Sequence, residues 1–151
     1  MYKMQSIGKM PLLKISNPLF LIDDSLDWNV AEALRLVYYN VTSVYKAFNG
    51  QSGVKDPPII EWCKLNNATW VHADDKARKT HRKDILTAKI RFLWVYRPGG
   101  IMSSKEQLRI LSYILPDLID KFINNPKKLH YKASAHGEAP RKRIRLEPIN
   151  L

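Results

Sequence analysis

Cysteine, acidic residues and long apolar runs are all scarce in this chain, and each shortage excludes a class of protein. The single cysteine, Cys63, excludes an internal disulfide and a cysteine-rich zinc cluster. It lies in the helix-like stretch IIEWCKLNN, where we expect it to be a small core residue. No apolar run reaches the roughly 18 residues of a membrane span, because Lys14 and then acids interrupt the N-terminal one. We therefore expect a cytoplasmic protein with no membrane partner.

Acidic residues are outnumbered by basic ones. The chain has 14 Asp and Glu against 25 Lys and Arg, a net charge of +11 with His neutral. This excess favours a polyanionic partner, either nucleic acid or, less well, an anionic membrane surface. A length of 151 residues suits one domain with a real core and argues against two.

Strand-like and helix-like stretches alternate along the chain. The patterns predict strands in NPLFLI, VTSVYKAF, ATWVHADD and IRFLWVY. They predict helices in DWNVAEALRLVYYN, in DPPIIEWCKLNN with Asp56 as its N-cap, and from Ser103 with Glu106 completing a capping box. The first helix is expected to be capped by Asp27 or Ser25. This alternation indicates an α/β fold with a central, mainly parallel sheet of about four strands flanked by helices.

Composition divides the chain into three segments. Residues 1–16 are expected to be a basic lead-in, residues 17–124 the domain, and residues 125–151 a basic C-terminal tail. The tail has seven Lys or Arg against two Glu. We expect it to be either a flexible arm or a strand that orders on a partner.

Acids occur at three points where predicted elements begin or end. Asp23 and Asp24 follow the first strand, Asp74 and Asp75 follow the third, and Asp56 begins a helix. Because the carboxyl ends of parallel strands meet at one edge of a sheet, these acids are expected to converge. Converging carboxylates suit Mg²⁺ or Mn²⁺, which can activate water for attack on a phosphodiester.

Each of these acids also has a plain structural explanation. Asp is common at helix caps and in turns, so Asp56 could act as a cap with or without a metal. His72 is expected to be a strand residue whose hydrogen bonds are satisfied, and His81 to be solvated. The pairs are harder to attribute to turn chemistry, because two separate strands both end in adjacent acids.

A basic run follows the second acid pair. Its members are Lys76, Arg78, Lys79, Arg82 and Lys83. Such a run is often a solvated helix face, but beside a carboxylate cluster it would hold a nucleic-acid backbone over the metal.

The stretches FLIDDSLDWNVAEALR, DPPIIEWCKLNNATWVHADDKARK and IRFLWVYRPGG…SSKEQLRILSYILPDLIDKF resemble the compact PIN-like domains related to VapC-type toxin ribonucleases. The resemblance runs from about Pro18 to Phe122. It implies a toxin endoribonuclease that cleaves RNA with Mg²⁺ or Mn²⁺ and is neutralised by a cognate antitoxin. By position, the family's catalytic and metal-binding acids match Asp23, Asp56 and Asp75, with Asp74 as a further metal ligand. A fourth acid that many PIN domains carry has no match here.

Two other functions remain open. One is a non-catalytic nucleic-acid-binding or partner-binding module of the same fold. The other is a phospho-acceptor receiver domain, which FLIDDS also resembles, but which needs later strands ending in Ser or Thr and in Lys. The sequence leaves open the RNA, the antitoxin, and whether the chain acts alone, as a homodimer or bound to that antitoxin.

Overall fold

The computed structural model describes residues 17–51, 53–96, 101–136 and 143–151. Its strands are β1 (Leu19–Ile22), β2 (Val41–Ser43), β3 (Ala68–His72), β4 (Arg91–Tyr96), β5 (His130–His136) and β6 (Arg143–Pro148). Its helices are α1 (Trp28–Leu36), α2 (Val44–Ala47), α3 (Asp56–Asn66), α4 (Asp75–Thr80), α5 (Arg82–Ala88) and α6 (Ser104–Asn124). The predicted lead-in, residues 1–16, lies outside the described residues. Within the described ranges, no helix has the length and apolar character needed to cross a bilayer.

One mixed sheet holds the molecule together. Its six strands lie in the order β2-β1-β3-β4-β5-β6, with β1 to β5 parallel and β6 antiparallel to β5. The predicted α/β class is confirmed, but the expected count of about four strands is too low. The chain turns outward from β1 to β2 and then crosses to β3 on the other side of β1. This reversal opens a crevice at the carboxyl ends of β1 and β3, where ligands bind in open α/β sheets.

The two faces of the sheet carry separate apolar clusters, because successive side chains along a strand point to opposite faces. The face under α1 and α6 includes Phe20, Ile22, Val71, Leu93, Val95, Tyr131 and Ala133. The face under α3 and α5 includes Leu21, Trp70, Phe92 and Trp94, together with the buried thiol of Cys63. Both faces of β1, β3 and β4 are therefore covered, and their carboxyl ends are held in fixed positions.

Some of the acids cap helices, and others are left available for the site. Asp27 caps α1 by accepting a hydrogen bond from Asn29 N at 2.9 Å, and Ser103 caps α6 by accepting one from Glu106 N at 3.2 Å. The expected cap at Asp56 is wrong: Lys55 occupies the N-cap position of α3 and no side chain caps that helix. Asp56 is instead its first residue, ahead of two prolines that need no partner for an amide hydrogen.

The second predicted strand is shorter than expected. β2 ends at Ser43, whose hydroxyl accepts a hydrogen bond from Lys46 N at 3.1 Å and so begins the short helix α2. The β-branched and aromatic residues of VTSVYKAF favour a strand, but this serine cap redirects the chain after three strand residues.

The sheet also extends beyond the boundary expected at residue 124. The segment expected to be a basic tail supplies β5 and β6, and β5 lies between β4 and β6. Tyr131, Ala133 and Ala135 point into the core, while Lys132 and His136 alternate with them on the other face. The inward residues of β5 are small and its outward residues are polar, so its composition is basic and its apolar alternation is weak. For this reason the sequence did not predict β5 as a strand of the domain.

Candidate metal site at the carboxyl edge of the sheet

Asp23 is a buried carboxylate fixed in place by the sheet itself. It directly follows β1, its side chain lies among residues that leave it 6% exposed, and its backbone N–H donates to Val71 O at 2.9 Å. Trp70 Nε1 donates to Asp23 Oδ1 at 3.1 Å, and Ser25 N donates to Oδ2 at 2.9 Å. A buried carboxylate requires such donors, because its loss of water is otherwise costly.

His72 connects β3 to the same carboxylate. Its Nε2 lies 3.5 Å from Asp23 Oδ2, and its Nδ1 accepts a hydrogen bond from Asp74 N at 2.8 Å. A ring nitrogen that accepts carries no proton, so the neutral ring holds its proton on Nε2, on the side of Asp23. His72 is therefore a buried strand residue with a hydrogen-bonded ring, as expected, and it also places Nε2 beside the acid cluster.

Asp56 reaches the cluster from the start of α3. Asp23, Asp56 and His72 each present one atom within 4.8 Å of the others. His81 approaches from the other side, with Nε2 3.3 Å from Asp56 Oδ2. Burial is the main cause of a raised pKa at Asp56; the charges of Asp23 and Asp74 raise it further, whereas His72 and His81 lower it. The carboxylate that sequence patterns assigned to a helix cap therefore belongs to an acid cluster.

Asp74 and Asp75 are adjacent in sequence but differ in surroundings. Asp74 caps α4 through a 2.9 Å hydrogen bond from Lys76 N, and its charge acts on Asp56. Asp75 is paired with Arg78 at 2.6 Å and with Lys79 at 3.0 Å. Burial raises the pKa of Asp75, but these two cations outweigh it and leave the pKa below its ordinary value. Asp74 therefore adds negative charge to the cluster, whereas the charge of Asp75 is already compensated.

A crevice of about 660 Å³ opens beside this cluster at the carboxyl edge. Its polar lining consists of Asp24, Ser25, Asp27, Asp74, Asp75, Tyr96 and Gln107. Burial and the charge of Asp23 raise the pKa of Asp24. The crevice lies where the strand order predicts a ligand site. Asp24, Asp74 and Asp75 line it, whereas Asp23, Asp56 and His72 lie next to it without forming part of its lining.

The donor set fits a hard divalent cation. Asp23 Oδ1 accepts one hydrogen bond and Asp56 Oδ2 has one histidine neighbour, so both carboxylates keep lone pairs for a metal. Nε2 of His72 carries the proton of the neutral ring and would have to lose it to become a ligand. The available ligands are then carboxylate oxygens, which Mg²⁺ and Mn²⁺ prefer.

The residues of the predicted phosphate-binding run lie on α4 and α5. Arg78 and Lys79 are paired with Asp75, and Arg82 donates a hydrogen bond to the Leu151 carbonyl. The remaining members, Lys76 and Lys83, are exposed. The run is thus divided: part of it holds the protein together, and part is free to meet a ligand.

Sequence patterns missed the donors around the acids. Trp70, His72 and Asp74 follow one another at intervals of two residues. The first two lie on strand β3 and point to the same face, because side chains along a strand alternate between faces. That spacing is a signal that an aromatic N–H and an imidazole point in the same direction as the strand approaches its acids.

A comparison of the chain with protein-family models, with curated proteins and with solved structures finds no match.

Proposed function

We propose that this protein is a metal-dependent endoribonuclease of the PIN-like type, with Asp23, Asp56 and Asp74 holding Mg²⁺ or Mn²⁺. The observation that carries the proposal is the convergence of Asp23 and Asp56, which lie far apart in sequence, at the edge where the strand order reverses. Like charges this close repel unless a proton or a cation relieves them. A divalent cation between the two carboxylates would do so.

Neighbouring residues of the chain orient the carboxylates of the proposed metal site. Trp70 and Ser25 fix the Asp23 carboxylate, and His72 directs its proton toward the cluster from the next strand. Rigid strand ends suit a site that must hold its ligands in one geometry. Asp24 lines the crevice with a raised pKa, the direction that suits a group accepting a proton from water. When bound, the cation would activate water and offset charge on the phosphodiester.

The choice between Asp74 and Asp75 follows from their partners. A carboxylate already paired with Arg78 and Lys79 gains less from a metal than one whose charge is uncompensated. We therefore replace Asp75 of the predicted catalytic set with Asp74. RNA is the proposed substrate class because the chain carries +11 and exposed lysines follow the acids directly.

The receiver alternative shares the strand order of the first five strands, which is the flavodoxin-like order 2-1-3-4-5. Its chemistry, however, requires Ser or Thr at the end of one later strand and Lys at the end of another. Here β4 ends in Tyr96 and β5 ends in His136. These residues leave the nuclease proposal with the better fit.

The decisive test compares two aspartates of the same edge. Purified protein is incubated with RNA and Mn²⁺ or Mg²⁺, with and without EDTA, as wild type, Asp56→Asn and Asp75→Asn. We expect cleavage that EDTA abolishes and that Asp56→Asn reduces by more than the roughly 10- to 100-fold typical of losing an outer partner of a metal site. Asp75→Asn should stay close to wild type.

Cleavage that persists in EDTA, or that responds equally to both substitutions, would contradict this assignment. RNA binding without any cleavage would instead favour the non-catalytic module. The pairing with a cognate antitoxin stays a prediction from the resemblance.

A further inference from the structure

We infer that the polar side chains on the face of β4, β5 and β6 opposite α6 form a binding surface for single-stranded RNA that leads into the crevice. This inference rests on the proposed function, since it assigns the path of that enzyme's substrate. The surface, called the basic face here, consists of Tyr96, Lys132, His136 and Arg145, which are partly or fully exposed. Ser134 lies among them in the strand register but is buried.

The strand register places these side chains together. Tyr96 is paired with Ser134, and Ser134 with Arg145, so the three form one row across three strands. Partnered residues point to the same face of a sheet. The alternate residues Tyr131, Ala133, Ile144 and Leu146 pack on the opposite face with α6, which confirms the orientation. Neighbouring strands lie about 4.8 Å apart, so Tyr96 and Arg145 are roughly 10 Å apart across the row.

Cations on this face are available to a ligand. Lys132 Nζ lies 5.0 Å from the Trp94 ring centroid and 4.6 Å from that of Tyr96. These contacts hold the ammonium on the sheet surface instead of letting it extend into water. Arg145 is exposed, and within the described part of the chain neither it nor Lys132 forms an ion pair.

Among the described residues of these three strands, the acid on the basic face lies at its far end. Glu147 is paired in register with Lys132, in the row away from the carboxyl edge, and it is exposed. The row nearer the crevice consists of Tyr96, the buried Ser134 and Arg145, and the next row pairs His136 with Arg143. Ser134 Oγ lies 2.7 Å from His136 Nε2. Positive charge therefore increases toward the crevice, as a phosphate backbone entering it would need.

Tyr96 joins this surface to the candidate site. It is the last residue of β4, it lines the crevice, and it is partly exposed. A cationic track with an aromatic side chain at its end is the usual combination for binding single strands, because unpaired bases stack on the ring while Lys and Arg neutralise phosphates. The combination favours an unpaired strand over a duplex, whose bases are already stacked on one another.

The test measures binding in EDTA, separately from cleavage. A fluorescent single-stranded RNA is titrated with the full chain at several salt concentrations, and anisotropy is recorded. Lys132→Ala/Arg145→Ala should weaken binding about tenfold or more. Because each phosphate contact contributes about 0.7 to the slope of log K against log salt for single strands, the slope should fall by about 1.4.

Matched variants separate this surface from overall charge and from misfolding. Lys64→Ala/Lys127→Ala removes two exposed charges at the amino edge of the sheet and should bind like wild type. Lys132→Arg/Arg145→Lys keeps both charges and should retain the salt slope. Tyr96→Leu should weaken binding about tenfold without changing that slope, because stacking carries no charge.

The outcomes distinguish this inference from the proposed nuclease. Wild-type protein that binds no RNA, equal weakening by both double alanine variants, or tighter binding to a duplex of the same sequence would overturn the basic face. If the predicted binding pattern appears but no RNA is cleaved with Mn²⁺, the basic face stands and the nuclease proposal fails.

Discussion

Asp56 and Asp75 show how surroundings give the same side chain different roles at one edge of a sheet. Burial is the main cause of a raised pKa at Asp56, and the cations Arg78 and Lys79 hold the pKa of Asp75 below its ordinary value. A group whose charge is disfavoured in the folded protein gains from a metal ion, whereas a group already paired does not. The two residues should therefore affect stability with opposite signs.

Asp75→Asn should destabilise the metal-free protein by roughly 0.3–1 kcal/mol at pH 7, the size of partly exposed helical ion pairs. A lowered folded pKa contributes stability that is present above the ordinary value of 3.8 and is lost as the pH falls through the folded value. The gap between variant and wild type should thus close in acid. Urea unfolding in EDTA across this pH range measures it, and a gap that is absent at pH 7 would contradict the ion-pair role.

Asp56→Asn should do the reverse in the absence of metal. A raised folded pKa means that the folded state binds the proton more tightly, so stability falls as the pH rises above 3.8. Removing the carboxylate removes this cost. The variant should be at least as stable as wild type at neutral pH, with the advantage disappearing below pH 3.8, again by urea unfolding in EDTA. A variant that is clearly less stable at pH 7 would indicate a structural role for Asp56.

The reactivity of the Cys63 thiol reports on how tightly the core under α3 is packed. Its side chain is fully buried, and burial raises the pKa of the thiol to about 12. Because the thiolate is the reactive form, a thiol reagent at about pH 8 should leave the native protein unmodified and should react once the protein is unfolded in urea. Rapid modification of the native protein would mean that this side of the core opens readily.

At the scale of elements, sequence patterns predicted most of what lies near the site. The apolar runs of β1, β3 and β4, the cap at Asp27 and the capping box at Ser103 were all readable, because they depend on local spacing. The convergence of Asp23 and Asp56 followed from parallel strand geometry. The sequence analysis assigned Asp75 to the metal set and did not predict its pairing with Arg78 and Lys79, although i, i+3 and i, i+4 neighbours meet on a helix.

Other features depend on tertiary contacts and were not readable. The direction of the His72 proton depends on the contact between its Nδ1 and Asp74 N, which no spacing specifies. β5 was missed because its inward side chains include Ala133 and Ala135, whose small size gives a weak apolar pattern. Its stability comes from pairing with both neighbouring strands. Only the assembled sheet provides that pairing.

Tyr131 shows what β5 contributes. It is buried, and its ring lies 5.5 Å from the Phe122 ring of α6 in an edge arrangement. Tyr131→Ala should destabilise the protein by about 3–5 kcal/mol, the range for truncating a large core aromatic residue. Tyr113→Ala removes a ring of α6 that is 66% exposed, and it should lower the free energy of unfolding by about 0.5 kcal/mol or less. Thermal or urea unfolding of both compares them, and equal effects would mean that β5 is not part of the core.

At the scale of the whole molecule, acids are concentrated at the carboxyl edge of the sheet although the chain as a whole is basic. The chain carries +11, yet the carboxyl edge between β1 and β3 holds Asp23, Asp24, Asp56 and Asp74. Cations on α4 and α5 and on the basic face surround this acidic point. Such an arrangement would draw a polyanion to the edge by long-range attraction, and a cation held by the acids would remove the repulsion at the point of contact.

The most direct test of the metal site is a calorimetric titration of Mn²⁺ into the full chain, with Asp56→Asn and Asp75→Asn titrated in parallel. We expect one saturable site in the wild type, its loss in Asp56→Asn and its retention in Asp75→Asn. Absence of saturable binding in the wild type, or binding that survives Asp56→Asn unchanged, would contradict a cation held between Asp23 and Asp56.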